Sequence, residues 1–302
     1  MAVIKMFNVY YFMYLIIAVI FTVSAIKFLK TKNDPFKRKF IYGLILFNFA
    51  IHFLKILIFP YNDPYFVEHR IVKVSFENIC AVSVLIYPFL YLSKNKILRE
   101  YMILVALLSG ILALTIPVDV FSNTFNAVDI TGIYVKTAFQ IETIRFYTTH
   151  YILFLSAFLL LYFRLDTITM KNAKWMPWML LGVLFILYLN EWVLSLFDFV
   201  PSGIDMYDPD GRNPSLIFGV KNLDALSGIG QAVKIFVPKM FTINPFTGDT
   251  FFWPVMWLFF PVMIYGYILA TISNYIFDKE ATIDYFKQKL PRTKNQQHET
   301  IN

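Results

Sequence analysis

Seven apolar runs dominate the chain: Phe7 to Leu29, Phe40 to Phe59, Val74 to Leu92, Tyr101 to Ile116, Thr143 to Phe163, Pro177 to Phe197 and Pro254 to Phe277. About 20 mostly apolar residues in a helix cross roughly 30 Å of hydrocarbon. The pattern therefore predicts an all-α, polytopic transmembrane helix bundle of about seven spans. Pro177 and Pro254 stand at first turns, where proline is tolerated, while Pro88 and Pro261 predict kinks. The first run is long and no small-residue cleavage site follows it, so it reads as a permanent helix rather than a removable signal. No internal repeat is visible, which counts against inverted-repeat transporter folds.

The polar connections give the spans a direction. Lys30, Lys32, Lys37, Arg38 and Lys39 fill the first loop, Lys94, Lys96 and Arg99 the third, Arg164, Lys171 and Lys174 the fifth, and five more basic residues follow Phe277. The second loop carries Arg70 and Lys73, the fourth Lys136, and the sixth, about 198–253, spreads four basic residues over more than fifty positions. Because positive residues are retained on the cytoplasmic side, the N-terminus is expected outside and the C-terminus in the cytoplasm. The chain divides into a membrane domain, 1–281, and a polar cytoplasmic tail, 282–302, ending LPRTKNQQHETIN, too polar to join a core.

Composition agrees with the membrane as solvent: 58% of the 302 residues are hydrophobic and 19% aromatic, with a mean hydropathy of +0.59, beyond the range of a water-soluble domain. The net charge of +7 comes from loop clusters rather than one basic face, which excludes nucleic acid as a partner. The abundance of Phe, Tyr, Ile, Lys and Asn fits an AT-rich genome, so the plasma membrane of a low-GC bacterium is the expected location. A single cysteine, Cys80, rules out an intramolecular disulfide.

Candidate chemistry comes from polar residues inside the spans, where an ionisable side chain costs about 2.5 to 3.5 kcal/mol on insertion scales and therefore faces an interior. Asn48, His52 and Lys55 are spaced to share one helix face. Glu77, Asn78 and Cys80 lie on the third span, Arg145, Thr149 and His150 on the fifth, and Asn190 and Glu191 on the sixth. On the predicted spans His52, Cys80 and His150 each lie about 10 Å below the outer boundary, a layer suited to the polar head of an amphiphile. Taken singly, each has a structural reading: Cys80 as a small hydrophobe, His150 as an interhelical hydrogen bonder, Lys55 as a snorkelling residue, and Glu77 as an ion-pair partner for Arg145 with Glu142 competing. Taken together, Cys80 as nucleophile and His150 as base suit acyl transfer. Asn48, His52, Lys55, Glu77, Asn78, Arg145, Asn190 and Glu191 would line the substrate site.

The sixth loop reads IDMYDPDGRNPS, where Asp208, Asp210 and Asn213 surround Gly211 without a calcium loop's spacing or terminal Glu. A turn built on Pro209 and Gly211 accounts for it better. Leu223 to Phe236 has near-helical apolar spacing and is expected along the membrane surface. One His–Cys pair is too few ligands for structural zinc, and neither a metal nor a cofactor is expected.

The stretch SFENICAVSVLIYPFLYLSKNKILREYMILVALLSGILALTIP, followed by ETIRFYTTHYILFLSAFLLLYF, resembles the YwaF-like family of bacterial integral membrane proteins. The shared features are Cys80, the basic loop Lys94 to Arg99, Pro117 and His150, with NPFTGDTFFWPVMWLFFP resembling the start of that family's last helix. The family's Pro-x-His-x-Cys run is replaced by Phe76, Glu77, Asn78, Ile79 and Cys80. The resemblance implies a seven-helix bundle and, through the eukaryotic relatives, CoA-independent acyl exchange between membrane phospholipids through an acyl-cysteine. The alternative is a non-enzymatic transporter or sensor of a small amphiphile using the same polar layer.

Overall fold

A computed structural model describes residues 3–62, 70–117, 137–200, 205–207, 213–220 and 233–289. Among them the architecture is all-helical, with one isolated antiparallel bridge, Ile243 to Thr250. The helices are α1 (Val9–Lys30), α2 (Asp34–Leu54), α3 (Arg70–Val74), α4 (Ile79–Leu92), α5 (Lys96–Thr115), α6 (Ile141–Tyr162), α7 (Met170–Ala173), α8 (Trp175–Leu196), α9 (Phe259–Phe277) and α10 (Lys279–Lys289). Six helical stretches among the described residues are long and apolar enough to cross a membrane, so the chain is a multi-pass integral membrane protein.

The third predicted span is shorter than expected. Val74 ends α3, and a non-helical break separates it from α4, whose 14 residues rise only about 21 Å. Asn78 causes the break: its extended backbone is non-helical, and its side chain accepts the Ala81 N–H as an N-cap. Helix α4 runs through Pro88. Pro261 lies in the first turn of α9, where its missing N–H costs no helical bond, so the kink expected there is not required.

Helices α5 and α6 form the centre. Every residue from Glu100 to Leu107 on α5 is buried, and α6 is buried along most of its length. Helices α2 and α4 pack on this pair from one side and on each other, α8 contacts α4 and α5, and α9 packs on α8. Helix α1 is the peripheral span. It is joined to α6 by a Tyr14–Tyr147 stack at 3.9 Å and a Thr22–Tyr151 hydroxyl contact at 3.1 Å, while Ile16, Val19, Ile20 and Phe21 stay exposed, as suits a lipid-facing surface.

Two helix contacts are close at glycine. At Gly110 a Cβ would stand 2.7 Å from Phe154 Cβ and 2.8 Å from the His150 carbonyl oxygen, and at Gly266 it would meet Pro177 Cγ at 3.2 Å. Small residues let backbones approach in membranes, where packing rather than water drives association.

The basic end of the bundle is latched by a carboxylate with no expected role. Glu100 accepts from the Thr169 backbone N–H at 3.0 Å and from Asn172 Nδ2 at 2.9 Å, and so closes the start of α7. Beside it Arg99 pairs with Asp166 at 2.8 Å, and Arg38 donates to the Leu165 carbonyl. The polar tail expected from Thr282 starts as helix α10. Residues 290–302 lie outside the described residues, as do Asp208, Asp210, Gly211 and most of Leu223 to Phe236.

The α5–α6 crossing generates a prediction. Gly110→Ala is expected to lower the midpoint of thermal unfolding in detergent, at a cost of about 1–3 kcal/mol for the overpacked contact. Gly43→Ala, inside α2 where a Cβ meets nothing within 4 Å, is expected to hold or raise the midpoint, because alanine favours a helix interior over glycine.

Candidate functional site

The buried positions of α2 recur as Ile41, Ile45, Asn48 and His52, a stripe at helical spacing that turns from apolar to polar toward the helix end. Asn48 Nδ2 donates to the Thr149 carbonyl of α6 at 3.1 Å. One turn on, His52 Nε2 donates to the Val74 carbonyl at 3.1 Å, fixing the tautomer with hydrogen on Nε2 because a carbonyl only accepts. Lys55, 4% exposed, does not snorkel: its Nζ lies 3.4 Å from Glu77 Oε2, and Lys73 pairs with the other carboxylate oxygen.

Arg145 belongs to a second pair. It grips Glu142 through Nε at 2.6 Å and a terminal nitrogen at 2.5 Å, and Glu142 also accepts from the Tyr61 hydroxyl at 2.8 Å. Glu142 thus wins Arg145 over Glu77, since residues three apart on one helix meet without moving any backbone. Burial and the adjacent Glu142 carboxylate push the Tyr61 phenol well above its ordinary range, keeping it a proton-bearing donor. Arg70 donates to the carbonyls of Tyr61 and Asn62, tying the connection after α2 to α3.

The residues proposed for acyl transfer stand on two different helices, α4 and α6. Since α4 starts at Ile79, Cys80 lies in its first turn, whereas His150 is nine residues into α6, about 14 Å along that helix. Helix α4 packs on α2, α5 and α8, and α6 on α5, α2 and α1, so the two residues sit on helices that share no principal interface. His150 Nδ1 donates to the Phe146 carbonyl at 2.8 Å. Asn78, expected beside the nucleophile, is engaged as the cap of α4. The 213–220 segment lies over this turn: Ser215 Oγ accepts the Ile79 N–H at 3.2 Å, and Phe218 is buried against Tyr188. Asn213, read from sequence as part of a turn, organises that segment by accepting from the Phe218 N–H and donating to the Gly219 carbonyl.

A lateral cavity of about 410 Å³ opens between α2, α4 and α8. Phe49 and Phe53 form one wall, Leu85, Ile86 and Phe89 the other, and Val74 to Phe76 with Asn190 close one end. Phe53 and Phe89 are 41% and 68% exposed on helices that lie in the membrane, so the groove faces hydrocarbon. Asn190 Nδ2 donates to Ser75 Oγ at 3.2 Å and to the Phe76 carbonyl at 3.4 Å. Asn190 is the one residue of the expected substrate layer that lines this groove; Glu191 is buried instead. Leu85, Ile86 and Phe89 lie on the side of α4 roughly opposite Cys80, at 3.6 residues per turn. The aromatic wall carried no polar signal in the sequence, although Phe49 and Phe53 stand one turn apart, as do Leu85 and Phe89.

No group of three or more candidate metal ligands occurs among the described residues. No family model, curated protein or solved structure matches this chain.

The Arg145–Glu142 pair is directly testable. Glu142→Ala leaves a largely buried guanidinium without its carboxylate and is expected to destabilise the fold by about 3 kcal/mol or more. Adding Arg145→Met should restore most of that loss in thermal unfolding, because the uncompensated charge is then gone.

Proposed function

We propose that the protein binds an amphiphile drawn sideways from the bilayer, as a sensor or carrier, with the ligand's chain on the aromatic groove and its head beside Asn190 and Ser75. The observation that carries this reading is the lateral groove, apolar along two membrane helices and polar at one end. Such a cavity, largely apolar with a few oriented polar groups, is the usual form of a small-molecule site. Membrane phospholipids and their derivatives are the pool from which the ligand would come.

The groove favours binding over acyl transfer through Cys80. A chain on Leu85, Ile86 and Phe89 lies on one side of α4, while the Cys80 side chain leaves from roughly the other. Acyl transfer would need the ester carbonyl to reach the first turn of α4 beneath the 213–220 segment. For orientation, the loop charges support an outside N-terminus and a cytoplasmic C-terminus in the plasma membrane.

The binding test uses a lipid probe with a photoactivatable group in its chain, added to membranes holding the protein, with labelled peptides mapped by mass spectrometry. Label is expected on peptides containing Phe49, Phe53, Leu85 and Phe89, and Leu85→Trp should lower it several-fold by filling the groove. Cys80→Ala should leave labelling unchanged. A loss of labelling in Cys80→Ala with unchanged labelling in Leu85→Trp would overturn the reading. The orientation is checked in a Cys80→Ala background: a cysteine at Lys287 on α10 should resist a membrane-impermeant maleimide in intact cells and react after permeabilisation.

A further inference from the structure

Building on that groove reading, we propose that the head of the ligand is an uncharged hydrogen-bond donor, such as the hydroxyl of a long-chain alcohol or an acylglycerol, and not a phosphate. Inside a bilayer an apolar chain gains little by leaving lipid for an equally apolar groove, so selection falls to the polar end.

The polar end presents acceptors. Phe76 contributes a carbonyl, which can only accept, so the Asn190 amide must turn Nδ2 toward it, as the 3.4 Å contact shows. The same Nδ2 reaches Ser75 Oγ, and the Ser75 hydroxyl spends its own hydrogen on the Val72 carbonyl at 2.8 Å. With its N–H groups committed, the polar atom Asn190 has left for a ligand in the cavity it lines is the acceptor Oδ1. A hydroxyl head donates to that oxygen, whereas a phosphate would bring negative charge against an amide oxygen.

No cation that could offset such a charge stands in the groove itself. Among the described residues no charged side chain lines the cavity. Lys55 and Lys73 share Glu77, and Arg145 is held by Glu142. The segment from Val74 to Phe76 stands between: its residues line the groove, while the Val74 carbonyl is engaged by His52. An ammonium head fares no better, because no carboxylate lines the groove to receive it. An uncharged donor is the head that meets its complement without leaving a charge unpaired in a low-dielectric site.

The experiment compares three photoactivatable probes of identical chain on the wild-type protein in nanodiscs: a monoacylglycerol, the same molecule with both hydroxyls methylated, and its phosphate monoester. The monoacylglycerol is expected to label groove peptides about two- to tenfold more than its methylated form, the worth of one hydrogen bond, with the phosphate lowest. Asn190→Leu should bring the ratio of monoacylglycerol to methylated labelling down to about one, with groove peptides still labelled by both probes, a readout that a merely misfolded variant would not give. Equal labelling by all three probes, or preference for the phosphate, overturns the head-group assignment and leaves the groove standing. No groove labelling by any probe in the wild type removes the groove reading and this inference together.

Discussion

A charge held in a membrane bundle must find its partner in the protein, since water is not at hand to solvate it, and this requirement organises the polar end of the molecule. Lys55 is buried in the 3-10 turn that follows α2, and its partner, Glu77, comes from the break between α3 and α4. Arg145 on α6 takes Glu142, which in turn holds Tyr61 from the connection after α2. Each pair therefore fastens a non-helical stretch to a spanning helix. Were the carboxylates absent, the cations would have to leave the interior, and the connections from residue 55 to 62 and from 73 to 78 would lose their anchors.

The groove follows from that anchoring. Glu77 and the His52 bond to the Val74 carbonyl hold residues 74–78 across the end of α2, and Asn78 starts α4 only after the crossing. Helix α4 is consequently short, and its lipid-facing side meets the ring of Phe49, with Phe49 and Phe89 centroids 6.5 Å apart. A third span running unbroken from Val74 would carry Ser75 and Phe76 on into a helix instead of turning them across the end of the groove. The polar pairs and the apolar groove are thus two faces of one segment, and Asn190 on α8 ties that segment from the groove side.

The helical class and the positions of six long spans were legible in the sequence because hydrophobic length is a one-dimensional signal. The buried stripe through Asn48 and His52 was also legible, since helical spacing alone puts those residues on one face. The break at 75–78 was not: Asn78 lies inside an otherwise apolar run, and only its cap bond to Ala81 reveals that the helix begins after it. Glu100 was overlooked for a related reason. Its partners, Thr169 and Asn172, stand about seventy residues away, and a carboxylate next to a basic loop reads as a solvated boundary residue until the chain returns to it.

The pairing of Cys80 with His150 shows what depth alone leaves out. Two residues on different helices can meet only if three coordinates agree: distance along the axis, direction around each helix, and adjacency of the helices themselves. The sequence supplies an estimate of the first, and that estimate inherits every error in where a helix starts, as the shift of the third span's start from Val74 to Ile79 illustrates. The second coordinate can be read by counting residues around the wheel, but it has meaning only once a neighbour is known. The third comes from packing, here from Gly110 drawing α5 against α6 and from α2 lying against both α4 and α6. Asn190 passes all three conditions, because α8 lies beside α4 and its amide reaches Ser75 and Phe76. It stands in a groove of mostly apolar residues, on the opposite side of the 74–76 segment from the ion pairs that hold Lys55 and Lys73.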